Sequence, residues 1–338
     1  MTQPSALDVA AMLSGRAALL QDAAARAVAY LGTVHDRPVA PGPGAIAALA
    51  DLDFPLPPRG LDAGRVLELL DDTGSPATVA SNGPRYFGFV VGGALPAAQA
   101  AAWLTAAWDQ NAALTVMSPV AARLGAVASG WITGLLGLPP AAAGVFVTGA
   151  TMANATCLAA ARDAVLTRHG WDAAGQGLVG APPVTVVVGA EVHTTVRKAL
   201  GIIGLGRDRA LVLPADGQGR IDPRALPALT GPAIVCLQAG NVNTGASDAF
   251  LPLIEWAAGH GAWVHVDGAF GLWAAASPAT AGQVEGWARR TRGRRTVTNG
   301  SIPPTTAAWR WSATRLSCAA RWRPRRPTCP ALTPRRWA

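Results

Sequence analysis

Between Gly144 and Asp267 the chain alternates short apolar, β-branched runs with helical patterns, and no other feature limits the possible folds as strongly. The runs are Gly144 to Thr148, Val184 to Val188, Ala210 to Pro214, Ala233 to Gln238 and Ala262 to Asp267. Helical patterns fall between them at Met152 to Arg168, His193 to Gly204 and Leu251 to Gly259. Strands that are apolar at every position, not at every second one, are covered on both faces. The rhythm therefore predicts an α/β fold with a mostly parallel sheet and helices on both sides. Half of the residues are apolar and only 14% are charged, so a large core is available.

A chain of 338 residues suggests about two domains at ~150 residues each. Residues 1–80 read as an Ala/Leu-rich helical segment, broken at Pro38 to Gly44 and at Pro55 to Gly60. Residues 81–286 read as the large domain, which opens with a Gly-rich loop and helices at Leu95 to Asp109 and Pro119 to Leu136. Residues 287–338 form a tail of different character. Asp8, Arg16, Asp22 and Arg26 interrupt the first helix, which is unlike a signal peptide. The longest apolar region, Leu124 to Leu138, is shorter than the ~20 residues of a bilayer span and stops at Pro139-Pro140. Cys157, Cys236, Cys318 and Cys329 show no CxxC spacing, so neither a zinc site nor a disulfide framework is expected. A cytoplasmic protein without a membrane segment or a bound metal is the expectation.

The net charge of +8 suggests nucleic acid until it is divided along the chain. From Glu285 onward there are 13 arginines and one acidic residue, a net of +12, whereas the first 284 residues hold 15 basic and 19 acidic groups, a net of −4. The basicity is confined to the tail. That tail carries five Trp and six Pro with neither helical nor strand periodicity. Disordered tails are normally poor in Trp.

Four segments could carry chemistry. In Phe146-Val-Thr-Gly-Ala-Thr-Met-Ala-Asn154 a strand ends and the small residues Gly149, Ala150 and Thr151 open a helix. Its first N–H groups and a Thr hydroxyl suit a phosphate, although a plain strand–turn–helix corner reads the same way. In Gly189-Ala-Glu-Val-His193 the histidine falls at the carboxyl edge of the sheet, where open α/β folds bind ligands. It could equally be a capping residue. In Trp263-Val-His-Val-Asp267-Gly-Ala269 a carboxylate closes an apolar strand and needs a cationic partner, either a protonated ring nitrogen or an arginine. The loop Gln238 to Asp248, with Asn243 inside it, is dense in small polar groups and could be no more than a turn.

Taken together, in this order and each after a strand, the four segments resemble the group II pyridoxal-phosphate-dependent amino-acid decarboxylases, the family of aromatic-amino-acid and glutamate decarboxylases. The resemblance runs from about Asn82 to Gly286. It implies the fold-type I large domain of pyridoxal-phosphate-dependent transferases, with the small C-terminal domain missing, and a homodimer with its site at the subunit interface. It implies further that Ala150 and Thr151 hold the cofactor phosphate, with Gly149 and Asn243 also among the cofactor-binding residues. His193 would stack on the pyridine ring, Asp267 would pair with the ring nitrogen, and Ala269 would pack beneath. Within Gly83-Pro-Arg-Tyr-Phe-Gly88, Tyr86 and Phe87 become candidate walls of the substrate pocket, or ordinary core aromatics. The implied reaction is loss of carbon dioxide from an L-amino acid, with the ring as electron sink.

That chemistry needs a lysine to hold the cofactor as a Schiff base. The chain has one lysine, Lys198, five residues after His193, which matches a non-catalytic part of the family pattern. The family's lysine belongs in a His-Lys-Trp motif, expected here near Thr298-Asn299. Arginine is no substitute, because its guanidinium stays protonated. The tail's codons offer an explanation when the last base of each is read with the first two of the next. Thr298 to Ser301 then permit His-Lys-Trp-Leu, and Ile302 to Ser312 permit Asn-Thr-Pro-Tyr-Asp-Cys-Gly-Val-Ala-Leu-Val. Backward to Ala288 the same register permits Ala-Ala-Asp-Ser-Trp-Ala-Thr-Asp-Gly. Third bases are free, but the fixed first two agree at every step, and the string resembles the family's missing segment. A frame shift near Gly286 is the expectation. The alternatives are a catalytically dead cofactor binder, an aminotransferase-type enzyme on the same scaffold, and, last, a genuine basic tail that binds nucleic acid.

Overall fold

A computed structural model describes residues 6–89, 91, 93–139 and 142–288, together with the backbone of two strands at 296–302 and 307–312. Contacts divide the chain into two compact units, Met1–Gln99 and Ala100–Ala338. Helices α1 (Ala6–Thr33), α2 (Pro43–Ala48) and α3 (Ala63–Leu69) belong to the first. Pro43 stands in the first turn of α2, where a missing N–H costs nothing, and the Asp62 carboxylate caps α3 by accepting from Gly64 N–H at 2.9 Å. Arg26 ties the unit together, reaching Asp22 at 3.1 Å along α1 and Asp71 at 3.2 Å beyond α3.

In chain order there follow α4 (Pro96–Trp108), α5 (Pro119–Leu135), β1 (Ala143–Val147), α6 (Ala150–Arg168), α7 (Ala173–Gln176), β2 (Thr185–Gly189), α8 (Thr194–Ile202), β3 (Leu211–Leu213), β4 (Ala233–Gln238), α9 (Phe250–Gly259), β5 (Trp263–Asp267), β6 (Thr296–Ile302) and β7 (Ala307–Ser312). The sheet order is β1-β7-β6-β5-β4-β2-β3. Pairings are parallel from β3 to β6, and β7 alone runs antiparallel to both of its neighbours. The expected mostly parallel α/β sheet is therefore present.

Alternation along each strand sorts the side chains onto two faces. Val186, Val188, Ile234, Cys236 and Trp263 meet α6 and α8 through Leu158, Val165, Val196 and Leu200. Val187, Val235, Leu237, Val264 and Val266 meet α5 and α9 through Ile132, Leu253 and Ile254. Both faces are covered, which explains the unbroken apolar runs of β2 and β4. The same alternation puts His265 and Asp267 on the face of Trp263, toward α6.

The tail departs from the sequence reading, which assigns no element beyond Trp287. Backbone strands occupy the two positions between β5 and β1, because an open strand edge accepts any backbone N–H and C=O whatever the periodicity of its side chains. The rest of the tail, with Cys318 and Cys329, lies outside the described residues, as does the expectation that it is out of frame or disordered. Cys157 and Cys236 are buried and in no disulfide. Among the described residues no group of three or more metal-ligating side chains converges, and no helix is long and apolar enough to cross a membrane.

Candidate cofactor site at the sheet edge

The C-terminal ends of β2, β4 and β5 converge on a narrow cleft lined in part by Gly189, Val192, Val196, Cys236, Gln238 and Asp267. Asp267 ends β5 beside Gln238 of β4 and is only 7% exposed. Its Oδ1 accepts from Ala269 N–H at 3.2 Å, and its Oδ2 accepts from Asn154 Nδ2 at 3.3 Å. Burial pushes its pKa up, and those two bonds together with the nearby His193 pull it back. A carboxylate so placed has an unmet demand for a cation.

Gly149 caps α6 without a side-chain bond, and its φ of +128° is a conformation that a residue with a Cβ rarely adopts. That turn swings the chain from β1 into α6 and leaves the first N–H groups of α6, at Ala150 and Thr151, at the helix start. His193 caps α8: its Nδ1 accepts from Thr195 N–H at 3.3 Å and lies 2.8 Å from Thr195 Oγ1. Its ring is otherwise exposed.

Asn154 is the residue that the sequence reading passed over. It is fully buried on α6, and its amide reaches Thr195 Oγ1 at 3.1 Å and His265 Nε2 at 2.8 Å as well as Asp267. Gly149 and Asn154 on one segment, His193 on another and Asp267 on a third are thus joined by hydrogen bonds or by one helix turn. A polar amide between Ala153 and Ala155, in the buried face of an apolar helix, was the available signal. Asn243 is exposed, its N–H bonded to Asn241 Oδ1 at 2.8 Å, and it lies outside this hydrogen-bonded group. In the other compact unit Tyr86 is half-buried and Phe87 is 92% exposed.

The loop after β4 is held by two devices. Gly240 and Gly271 approach so closely that a Cβ on Gly240 would stand 2.8 Å from Gly271 Cα, while Gly271 N–H donates to Ala239 O at 2.8 Å. Asp248 accepts from Ile221 N–H at 2.8 Å and from Gln238 N–H at 2.7 Å. Burial pushes its pKa up to about 6 despite those bonds. A folded value above the unfolded one means that the unfolded chain ionises first. Stability from this group is complete below about pH 4 and is lost as pH rises through about 6, on the order of 3 kcal/mol in all. Urea unfolding between pH 4 and 7 should show that fall in the unsubstituted chain and a shallower one in Asp248→Asn.

Residues 43–290 match the pyridoxal-dependent decarboxylase conserved domain, which is well over half of the chain. The chain belongs to the pyridoxal-dependent decarboxylase family. Pyridoxal phosphate is the family's cofactor, and the family's enzymes are carboxy-lyases. L-2,4-diaminobutyrate decarboxylase of Rhizobium meliloti is 32% identical over 172 residues, covering 48% of the chain and 31% of that relative. Aromatic-L-amino-acid decarboxylase of Bacillus atrophaeus is 28% identical over 178 residues, half of the chain and 32% of that relative. The matches thus span about a third of these relatives' lengths. Mouse CSAD shares the fold at a TM-score of 0.76 and 22% identity, covering 89% of the chain and 64% of its own. Oryza sativa TDC, solved with pyridoxal phosphate and tryptamine, does so at 0.72 and 22%, covering 93% and 66%. The architecture is that of the fold-type I decarboxylases.

Proposed function

We propose that the sheet edge binds pyridoxal phosphate and that the protein to which this sequence corresponds decarboxylates an L-amino acid. The observation that carries the reading is the buried Asp267, aimed from the end of β5 with no arginine or lysine paired to it among the described residues. A protonated ring nitrogen meets that need. Gly149, Ala150 and Thr151 would hold the phosphate, His193 would cover the ring face, and Ala269 would lie beneath it. Bound there, the cofactor supplies an electron sink for the charge left when carbon dioxide departs. The residues' part is to fix the ring's position and to keep its nitrogen charged. An absorbance titration of the full chain with pyridoxal phosphate tests the reading: saturable binding is expected, and its absence would remove the proposal.

What the printed chain lacks is the amine. Its single lysine, Lys198, is exposed on α8. The register of β5 and β6 places Asn299 beside Asp267, and the one-base-shifted reading puts its lysine at the Thr298-Asn299 junction. That coincidence supports a displaced reading frame in the tail. Resequencing codons 280 to 312 separates the alternatives: a base gained or lost near codon 286 restores the family motif, and a clean read leaves a cofactor binder without a covalent anchor.

A homodimer is the second part of the proposal. Helix α4 is apolar yet has no buried residue, and Trp103, Trp108 and Leu104 on it are about half exposed, as is Leu124 on α5, with Trp131 there 70% exposed. A helix apolar around its circumference is normally buried. Sedimentation equilibrium should give a dimer that Trp103→Arg with Trp131→Arg converts to monomers, and a monomeric unsubstituted chain would argue against it.

A further inference from the structure

With Asp267 ionised, the hydrogen bonds around Asn154 have one consistent set of directions. The Asp267 carboxylate can only accept, so Asn154 must turn Nδ2 toward it. The same Nδ2 donates to Thr195 Oγ1, which leaves Oδ1 to accept from His265 Nε2. His265 therefore carries its proton on Nε2. Its Nδ1 is buried with no partner among the described residues, and burial lowers its pKa to about 3, so the ring is neutral. Thr195 Oγ1, already accepting from Asn154, has its own proton left to give, and the neighbour within reach is His193 Nδ1. That nitrogen also accepts Thr195 N–H. His193 Nδ1 is thus an acceptor whose one lone pair is shared by the Thr195 N–H and hydroxyl, and in the neutral ring the proton sits on Nε2.

We propose that Asn154 and Thr195 are positioning residues that fix the tautomer and the orientation of His193 and couple it to Asp267. The inference rests on the cofactor reading above, since it gives both ends of the chain their purpose. Asp267 would face the ring nitrogen and His193 the ring face, and one buried amide holds both in register across three elements. Such a link ties the orientation of the imidazole to that of the amide that meets the carboxylate. Thr195→Val removes the hydroxyl and keeps the shape, whereas Thr195→Ser keeps the hydroxyl.

The test uses the full chain labelled with ¹⁵N-histidine, whose five histidines are resolved by two-bond proton–nitrogen correlation and assigned with His193→Gln. Without any cofactor His193 should carry its proton on Nε2. Thr195→Val and Asn154→Leu should each raise the Nδ1-protonated population above that of the unsubstituted chain, only in part because the residue-195 N–H still faces Nδ1, and Thr195→Ser should not raise it. Pyridoxal phosphate binding should weaken about tenfold in the first two and stay within about twofold in the third. An Nδ1-protonated His193 in the unsubstituted chain, or a tautomer that Thr195→Val leaves unchanged, would overturn the inference. If the tautomers behave as expected but the chain binds no pyridoxal phosphate, the cofactor reading falls and the hydrogen-bonded coupling stands. If Asn154→Leu does not fold, the two Thr195 variants decide, because that side chain is only half-buried.

Discussion

Borohydride should attach pyridoxal phosphate covalently to the chain when its tail is re-read from codon 287 in the alternative frame, and should leave the printed chain unlabelled. The printed frame offers a single lysine side chain, Lys198, exposed on α8. The alternative frame brings a lysine to the β6 position paired with Asp267. A carboxylate-held ring and an amine on the adjacent strand are what a covalent anchor requires. The accompanying gain in carbon dioxide release from an L-amino acid should be on the order of 10⁴-fold or more, the scale on which loss of a reacting nucleophile acts. Peptide mapping by mass spectrometry locates the adduct. Labelling of Lys198 in the printed chain, or no labelling of the re-read chain, would count against this account.

The second large effect is expected at Asp267. Asp267→Ala removes the carboxylate that would face a ring nitrogen in a site where water is excluded, and breaking a buried ion pair costs about 3–5 kcal/mol. Affinity for pyridoxal phosphate should fall by a factor of roughly 100 to 4,000. The rise in thermal stability that a ligand confers at 100 times its dissociation constant, about 2.7 kcal/mol for the unsubstituted chain, should vanish with it. Thr151→Val and His193→Gln should weaken binding less, because each removes a contact without stranding a charge.

Much of the frame of this molecule can be read from its residues. Ala233 to Gln238 is bounded by Gly231-Pro232 and by Gly240, and its strand has the limits that the sequence suggested. The strand at Ala210 to Pro214 shortens to Leu211–Leu213, since a sheet edge pairs on one side only. The place of each strand in the sheet is different in kind. Parallel neighbours such as β4 and β2 are joined by long connections, and no local pattern specifies that β6 and β7 stand between β5 and β1. The site divides in the same way. Gly149, His193 and Asp267 each mark the end of a strand and stand out locally. Asn154 meets Asp267 113 positions along the chain and His265 at 111, so its threefold role exists only once the fold has formed. Asp248 was legible as the end of a polar loop, but its two backbone N–H partners at Ile221 and Gln238 were not.

The central claim is that the edge formed by β2, β4 and β5 is a pyridoxal phosphate site organised around Asp267. Equilibrium titration of the full printed chain with pyridoxal phosphate, run beside Asp267→Ala and followed by the cofactor's absorbance, tests it most directly. Saturable binding at one cofactor per chain that Asp267→Ala weakens by a factor of roughly 100 or more is the expected result. Binding that is absent, or that is the same in both proteins, would contradict it.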